Sequence, residues 1–396
     1  MDTKKNKKIN GPINVIRLEG DINNVKKVLY IFMDMHIPVG NQTKCDDFLS
    51  EDVTRYVKKE LLKTKDKHID FFMEHRMEPE NESITKYSKY KDRYIEEMQK
   101  FFWENFRKNN KELNNVRFHY ADIRKSEMIF GYKFINNILL NYSCDTYRRD
   151  DVSKMINIYG NNIQYLKLVN NILSGIDIKS SQNKDNNKNN KNNKDSKDDS
   201  LDKIKDLYSK YKNKEVKDKL QILIDSFLKQ SNILINKITE NYDILIKHET
   251  TCNSYFDENG FRKKTKDLIT GYEKYFYDDD EIVEVIRKNQ KNIYNLNMET
   301  HATLMDIYFL RRFCDKEYIT HGLFYGGSAH CFTYINFLIK FFDFKITHAA
   351  YSSEKINKIN KLLSDNFYSV NEGMKYFDPP ILIQCSDISE FPDNFD

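Results

Sequence analysis

The feature that most limits the fold of this chain is a set of short, nearly continuous apolar runs separated by amphipathic stretches. Residues 25–33, 69–74 and 116–123 are runs of the kind that is buried on both faces of a sheet. Residues 46–63 and 94–106, which lie between them, have apolar side chains at helical spacing. This β-α-β-α-β succession with right-handed crossovers predicts an α/β fold, in which a mainly parallel central sheet is flanked by helices.

The rest of the chain predicts that this fold is interrupted and then completed. Residues 179–200 contain almost only Asn, Lys, Asp and Ser, which predicts a disordered loop. The resulting division is a basic flexible N-terminus at 1–24, a first α/β part at 25–178, the loop, a helical insertion at 201–297 and a C-terminal completion at 298–396. In that last part and just before it, the pattern predicts helices at 281–291, 298–313 and 331–342, a strand at 321–325 and an edge strand at 344–348.

Charge and cysteine content exclude several classes of protein. The 64 basic and 60 acidic residues nearly balance, so the chain has no strong nucleic-acid signature. The six cysteines are dispersed without a CxxC pair, which indicates a reducing compartment. No apolar run approaches the roughly 18 residues that span a bilayer, so there is no membrane signature. We therefore expect a soluble intracellular protein.

The candidate chemistry lies where the apolar runs end. Each predicted strand is followed or ended by side chains that can take part in acid–base or metal chemistry. The segments are Asp34-Met35-His36, Glu74-His75-Arg76, Asp122-Ile123-Arg124 and Gly326-Gly327-Ser328-Ala329-His330. Because the carboxyl ends of neighbouring parallel strands meet in one crevice, these distant segments are predicted to share one site.

We assign roles in this site by residue type. His36 would activate water or a substrate nucleophile, and Glu74 and Asp122 would orient the histidines. His330 would stabilise developing negative charge, together with the amides at the start of the helix that follows the glycine turn. The same side chains, Asp34, His36, Glu74 and His330, would also suit a divalent metal ion. Residues expected to contact substrate or an oxyanion are Gly326, Gly327, Ser328, Gln42, Arg76 and Arg124.

Each segment also has a structural interpretation. Asp34 would then cap a loop, and His36 would be a hydrogen-bonded structural histidine. Glu74 with Arg76, and Asp122 with Arg124, would be ordinary ion pairs. The recurrence of such residues at the ends of successive strands favours a site, because clustered charges perturb pKa values as active sites do.

The four segments, in this order, resemble the erythromycin-esterase, ChaN and TraB/TIKI superfamily of hydrolases. Asp34-Met35-His36 with Gln42 resembles that superfamily's first element, Gly-Glu-x-His with a nearby Gln, although Asp34 stands for the usual Glu and Met33 for the usual Gly. The superfamily's second, third and last elements are resembled, in that order, by Phe72-Met73-Glu74, Tyr120-Ala121-Asp122-Ile123-Arg124 and Gly327-Ser328-Ala329-His330. The resemblance implies an α/β hydrolase of ester, amide or peptide bonds over residues 25–125 and 298–350.

A second resemblance concerns origin. The segment at 304–312 and the Asn/Lys-rich composition are similar to uncharacterised proteins of large DNA viruses of amoebae. This similarity implies the host cytoplasm, a viral factory or the virion as the location.

Two other functions stay open. Asp34-Met35-His36 matches the Asp-x-His element of metallophosphoesterases, although the chain has no Gly-Asp-x-x-Asp or Gly-Asn-His element to complete that metal set. The chain could instead be a non-catalytic viral protein that keeps the fold for virion structure or host binding, and the helical insertion could mediate self-association. The substrate is not predicted.

Overall fold

The predicted apolar runs are strands of one sheet in the computed structural model, which describes residues 7–64, 66–75, 93–107, 113–124, 131–137, 149–176, 199–252, 259, 264–266, 273–275 and 280–396. The strands are β1 (Lys8–Asn10), β2 (Asn14–Ile22), β3 (Val25–Asp34), β4 (Glu51–Asp52), β5 (Ile69–Met73), β6 (Val116–Tyr120), β7 (Lys264–Lys266), β8 (Glu273–Tyr275), β9 (His321–Gly327), β10 (Lys345–Ala349) and β11 (Cys385–Asp387).

Helices connect many of these strands. They are α1 (Val53–Lys63), α2 (Tyr94–Arg107), α3 (Arg149–Leu173), α4 (Asp199–Ser209), α5 (Lys214–Cys252), α6 (Asp280–Asp315), α7 (Ser328–Phe342), α8 (Ile356–Asp365) and α9 (Val370–Gly373). The chain divides into two units. The α/β unit contains residues 1–123, 212–219 and 308–396, and the helical unit contains residues 124–211 and 220–307.

The main sheet of the α/β unit has six strands in the order β10-β2-β3-β9-β5-β6. The pairings β3 with β9, β9 with β5 and β5 with β6 are parallel, whereas β2 is antiparallel to both β3 and β10. The prediction of a mixed α/β fold with a mostly parallel sheet is confirmed. Because β9 lies between β3 and β5, residues from the two ends of the chain meet at one edge.

Aromatic side chains fill both faces of this sheet. On one face, α1 and α2 cover inward residues such as Phe32 and Phe71, and Phe102 of α2 packs on Phe71 at 4.5 Å between ring centroids. On the other face, Phe309 near the end of α6 contacts Phe324 of β9 at 4.9 Å and Tyr334 of α7 at 4.2 Å. Burial of these faces fixes the register of each strand, and the register fixes the position of each strand end.

A small three-stranded sheet, in the order β11-β1-β4, involves both ends of the chain. Residues 8–22 form β1 and β2 rather than the flexible terminus predicted for 1–24, because apolar residues such as Ile9 and Ile16 are buried there despite the basic flank. A disulfide joins Cys45 to Cys385, whose Cα atoms are 4.9 Å apart. The expectation of reduced, unpaired cysteines is therefore wrong for this pair, since the fold brings together residues that are 340 positions apart.

The helical unit differs from the predicted insertion in its bounds. It begins at residue 124 rather than 201, because α3 belongs to it and packs against α5 and α6 through buried residues such as Tyr159, Ile238 and Ile293. The helices predicted at 281–291 and 298–313 are one helix, α6. Most of the predicted disordered loop, residues 179–198, lies outside the described residues. None of the helices, over the part of the chain that the structure describes, has the length and apolarity needed to cross a bilayer.

Candidate functional site

The carboxyl ends of three parallel strands bring the candidate residues to one edge of the sheet. Asp34, the last residue of β3, pairs with Gly327 of β9, and Met73 of β5 pairs with Tyr325 of β9. Glu74 follows directly, and its backbone N–H donates to the carbonyl oxygen of Tyr325 at 3.0 Å. The predicted convergence of these distant segments is therefore present.

His36 is held in a fixed orientation by bonds at both ring nitrogens. Its Nδ1 lies 2.8 Å from Asp34 Oδ2, and its Nε2 lies 3.3 Å from Glu74 Oε2. The backbone of His36 has φ of 54°, in the left-handed region that residues other than glycine rarely adopt. This conformation turns the chain back after β3, so that the imidazole lies between two carboxylates. Strain of this kind is common at functional sites.

Glu74 is the centre of the cluster. Its Oε2 accepts the backbone N–H of Gly327 at 2.5 Å, and its Oε1 lies 3.4 Å from His330 Nε2. Gly326 and Gly327 make this approach feasible. A Cβ at Gly326 would lie 2.8 Å from Glu74 Cβ, and a Cβ at Gly327 would lie 3.1 Å from Glu74 Oε2. The paired glycines therefore leave the space that the glutamate occupies.

The electrostatics of the cluster follow from these contacts. Burial alone would raise the pKa of Glu74, but the imidazoles of His330 and His36 outweigh it and hold that pKa well below the usual 4.5. Burial alone would lower the pKa of His36, but its bonds to the Asp34 and Glu74 carboxylates raise it from 6.5 to about 9. At neutral pH the cluster therefore contains an ionised Glu74 and a protonated His36.

His330 reaches the cluster from the first turn of α7. That helix begins at Ser328, with Gly327 as the extended residue before it. The backbone N–H groups of the first turn have no partner within the helix, and the helix dipole gives this end positive character. An anionic group at this helix start would be stabilised, as the bond from Gly327 to Glu74 illustrates. Ser328 and the two glycines therefore lie at the turn from strand to helix, and their contact with a substrate or oxyanion stays a prediction.

Tyr325 is a site residue that the sequence analysis missed. Its side chain is buried in β9 on the same face as Phe32, on which it stacks at 6.4 Å between ring centroids. Its pKa is raised well above 10, first by burial and then by the charge of Asp34 nearby. Asp34 Oδ1 is buried without a hydrogen bond of standard geometry. Because side chains alternate between the two faces of a strand, the position of Tyr325 two residues before Gly327 could have placed it on the same face of β9 as Gly327.

The other predicted residues have different positions. Gln42 does not contact the cluster through a described bond, and instead its Nε2 donates to the carbonyl of Ile37 at 2.6 Å, which shapes the loop after His36. Asp122 lies two residues beyond the end of β6, at the same edge of the sheet as Glu74. Arg124 is the first residue of the helical unit. Arg76 lies outside the described residues.

A second carboxylate and histidine pair in the α/β unit has a structural explanation. Asp70, the second residue of β5, is fully buried, and it accepts bonds from Arg117 at 2.8 and 2.6 Å and from His119 at 2.7 Å. Arg312 Nε donates to the other ring nitrogen of His119 at 3.2 Å. Burial first, and then the charge of Arg312, lower the pKa of His119 despite the bond to Asp70. His119 is therefore a neutral histidine with both nitrogens bonded.

The arrangement does not fit the divalent metal that Asp34, His36, Glu74 and His330 were predicted to hold. The bonds described above direct the imidazole nitrogens at carboxylate oxygens. Within the described ranges, no group of three or more His, Cys, Asp or Glu side chains is placed to hold a metal ion. What the four side chains can do as placed is exchange protons and stabilise charge.

Comparisons with known proteins place the whole described chain in one family. The model of the family of unknown function DUF5847 matches residues 7–396. The chain is 32% identical to uncharacterized protein R706 of Acanthamoeba polyphaga mimivirus, in a match that covers 98% of this chain and 96% of that protein. It is also 32% identical to uncharacterized protein R161 of the same virus, over 98% of each chain. The predicted similarity to proteins of large DNA viruses of amoebae is confirmed, and no solved structure matches the chain. The chain therefore belongs to the DUF5847 family.

Proposed function

We propose that this protein is a hydrolase of ester, amide or peptide bonds, with an acid–base site made of Asp34, His36, Glu74 and His330. One observation carries the proposal: a single carboxylate, that of Glu74, bonds two imidazoles supplied by segments almost three hundred positions apart. The side chain of His36 is 29% exposed and that of Glu74 is 10% exposed. A substrate would therefore meet His36 first, with Glu74 directly behind it.

His36 acts as the acid in this proposal. Because its pKa is about 9, the imidazole carries its proton at neutral pH. It would donate that proton from Nε2 to the leaving oxygen or nitrogen, while the Nδ1 bond to Asp34 keeps the ring oriented. This role differs from the sequence-based expectation, in which His36 activates water.

Glu74 acts as the base. Its carboxylate stays ionised at neutral pH because of the two imidazoles and the N–H of Gly327. Water attacks the carbonyl carbon of the substrate, its proton passes to Glu74, and the bond to the leaving group breaks as His36 gives up its proton. The direct contact of 3.3 Å between Glu74 and His36 then returns the proton to His36. The first-turn amides of α7 would stabilise the negative oxygen of the intermediate.

The family match brings no reaction with it, since its description is one of unknown function. It provides no evidence for the erythromycin-esterase, ChaN and TraB/TIKI resemblance. That resemblance stays a prediction from four short motifs, and it agrees with a hydrolytic reaction. Self-association through the helical unit likewise stays a prediction.

The test is turnover of p-nitrophenyl acetate, of a p-nitroanilide amide and of a fluorogenic peptide by the purified chain. We expect turnover of at least one of them, and a loss of about 10²- to 10⁴-fold in Glu74→Gln and in His36→Asn, as for other acid–base groups. Asn suits position 36 because it tolerates the left-handed backbone.

The matched control is His321→Asn, which removes a histidine from the opposite end of β9. This variant should retain full turnover, and circular dichroism should show that all three variants are folded. The proposal is wrong if no substrate class is turned over, or if folded Glu74→Gln is as active as the unchanged chain.

A further inference from the structure

Large apolar side chains are exposed beside the candidate site. Across the described part of the α/β unit, seven large apolar residues are exposed, and five of them lie on two segments near the site. These five are Met35 (36% exposed), Phe48 (95%), Leu49 (65%), Ile381 (71%) and Leu382 (45%). Scattered apolar residues are common on surfaces, but such a concentration marks a contact surface.

Phe48 and Leu49 occupy the corner of a β-turn. The backbone N–H of Ser50 donates to the carbonyl of Asp47 at 3.1 Å, and the N–H of Leu49 donates to Asp47 Oδ1 at 2.9 Å. Gly, Pro, Asn, Asp and Ser dominate the corners of such turns, because those residues suit the backbone and water. A phenylalanine that is almost wholly exposed at a turn corner is costly in water, and it is expected where the turn enters an apolar environment.

The turn is held on a rigid base. The side chain of Asn10 accepts the N–H of Cys45 at 2.8 Å and donates to Ser50 Oγ at 3.1 Å, so it bonds both ends of the turn segment. The disulfide from Cys45 to Cys385 ties the same segment to the chain that carries Ile381. A pre-ordered apolar tip loses little entropy when it binds, which favours binding.

The two segments are joined to each other and to the end of the sheet that carries the candidate site, since Thr43 N–H donates to Gln384 Oε1 at 2.9 Å. The segment that carries Phe48 starts directly after His36. Asn10 of β1 holds this segment. Just before β2 begins, the N–H of Ile13 donates to the carbonyl of Met33, the residue before Asp34, at 2.9 Å. Met35 itself stands between Asp34 and His36. A surface that covers Met35 therefore lies next to the reactive groups, and the turn is tied to the same end of the sheet.

We propose that the turn at 47–50 docks on a lipid surface rich in phosphatidylcholine, and that the site hydrolyses an ester presented at that surface. The substrate class rests on the proposed function, whereas the docking does not. Within residues 44–50 there are two carboxylates, Asp46 and Asp47, and one cation, Lys44, so this segment would repel anionic lipids and attract choline headgroups. Contact between the turns of two copies would bring these carboxylates together, which disfavours a second copy. Docking of this kind needs no spanning helix.

The test is flotation of the full chain with vesicles of pure phosphatidylcholine. We expect the unchanged chain to float and a Phe48→Ser, Leu49→Ser double variant to lose at least about tenfold in vesicle affinity. Burial of even one large apolar side chain changes an equilibrium by about that factor. The matched control is an Ile222→Ser, Ile233→Ser double variant, which removes two exposed apolar residues of α5 and should float unchanged.

Each outcome decides the proposal. It is overturned if the unchanged chain stays unbound, if it floats only with phosphatidylserine vesicles, or if the Phe48 variant floats equally well. It is also overturned if sedimentation without lipid shows a dimer that depends on Phe48, because a second copy then covers the turn. Hydrolysis of dispersed phosphatidylcholine is measured separately from turnover of water-soluble p-nitrophenyl acetate. Flotation without turnover of either substrate would refute the proposed function and leave the docking intact.

Discussion

The pH dependence of stability should reveal the bonds that His36 makes to Asp34 and Glu74. A pKa of about 9 in the folded chain, against 6.5 when unfolded, corresponds to about 3 kcal/mol, since one pKa unit corresponds to about 1.4 kcal/mol. Because the folded pKa is the higher one, this contribution is fully present below pH 6.5. It is lost as the pH rises through about 9.

The perturbation that isolates this contribution is His36→Asn. Other groups titrate in the same range, and Lys27 is the clearest example, because burial lowers its pKa to about 8. Its contribution has the opposite sign, since the unfolded chain binds the proton more tightly and stability rises between pH 8 and 10.5. The difference between the unchanged chain and the variant cancels this term, and it should shrink by about 3 kcal/mol between pH 6 and pH 9.5.

Urea unfolding followed by fluorescence measures that difference. The chain has one tryptophan, Trp103, which lies in α2 of the α/β unit, so its fluorescence reports on the unit that contains the site. The reasoning is refuted if the two proteins lose or gain stability in parallel over this pH range. A parallel response would mean that His36 has the same proton affinity in the folded and unfolded chains.

Two further predictions concern the packing around the site. Gly326→Ala places a methyl group 2.7 Å from the Phe324 ring and 2.8 Å from Glu74 Cβ, so turnover should fall and unfolding should need about 1–3 kcal/mol less, whereas Gly40→Ala, with no atom within 4 Å, should match the unchanged chain. Unaltered turnover and stability in Gly326→Ala would contradict the close approach. A Cys45→Ser, Cys385→Ser double variant should lose about 2–5 kcal/mol of stability, because the disulfide closes a very long loop. Peptide mapping of unreduced protein should show the link, and its absence would contradict the fold of the small sheet.

Much of the site could be predicted from the sequence because it depends on strand ends. Continuous apolar runs indicate buried parallel strands, and a polar residue at the end of such a run must lie at the sheet edge. This reasoning identified His36, Glu74 and His330, which the structure brings into contact. Open parallel sheets in general bind ligands at the carboxyl ends of their strands for the same reason.

The remaining features depend on contacts between distant residues. No local pattern indicates that β9 inserts between β3 and β5, that Cys45 meets Cys385, or that β2 joins the sheet after a basic flank. The protonation of His36 was also beyond sequence reasoning, because it results from two carboxylates supplied by different strands. The position of Gln42 depends on a loop bond that no motif indicates, because its Nε2 donates to the carbonyl of Ile37.

The most direct test of the coupling between His36 and Glu74 is the titration of His36 by nuclear magnetic resonance in protein with isotope-labelled histidine, with its signal assigned by comparison with His36→Asn. We expect a pKa of about 9 for His36 in the unchanged chain, and a fall of at least about one unit in Glu74→Gln, because that variant removes one of the two carboxylates that hold the proton. A pKa near 6.5, or one that is the same in Glu74→Gln, would contradict the claim that these distant segments form one charge-coupled site.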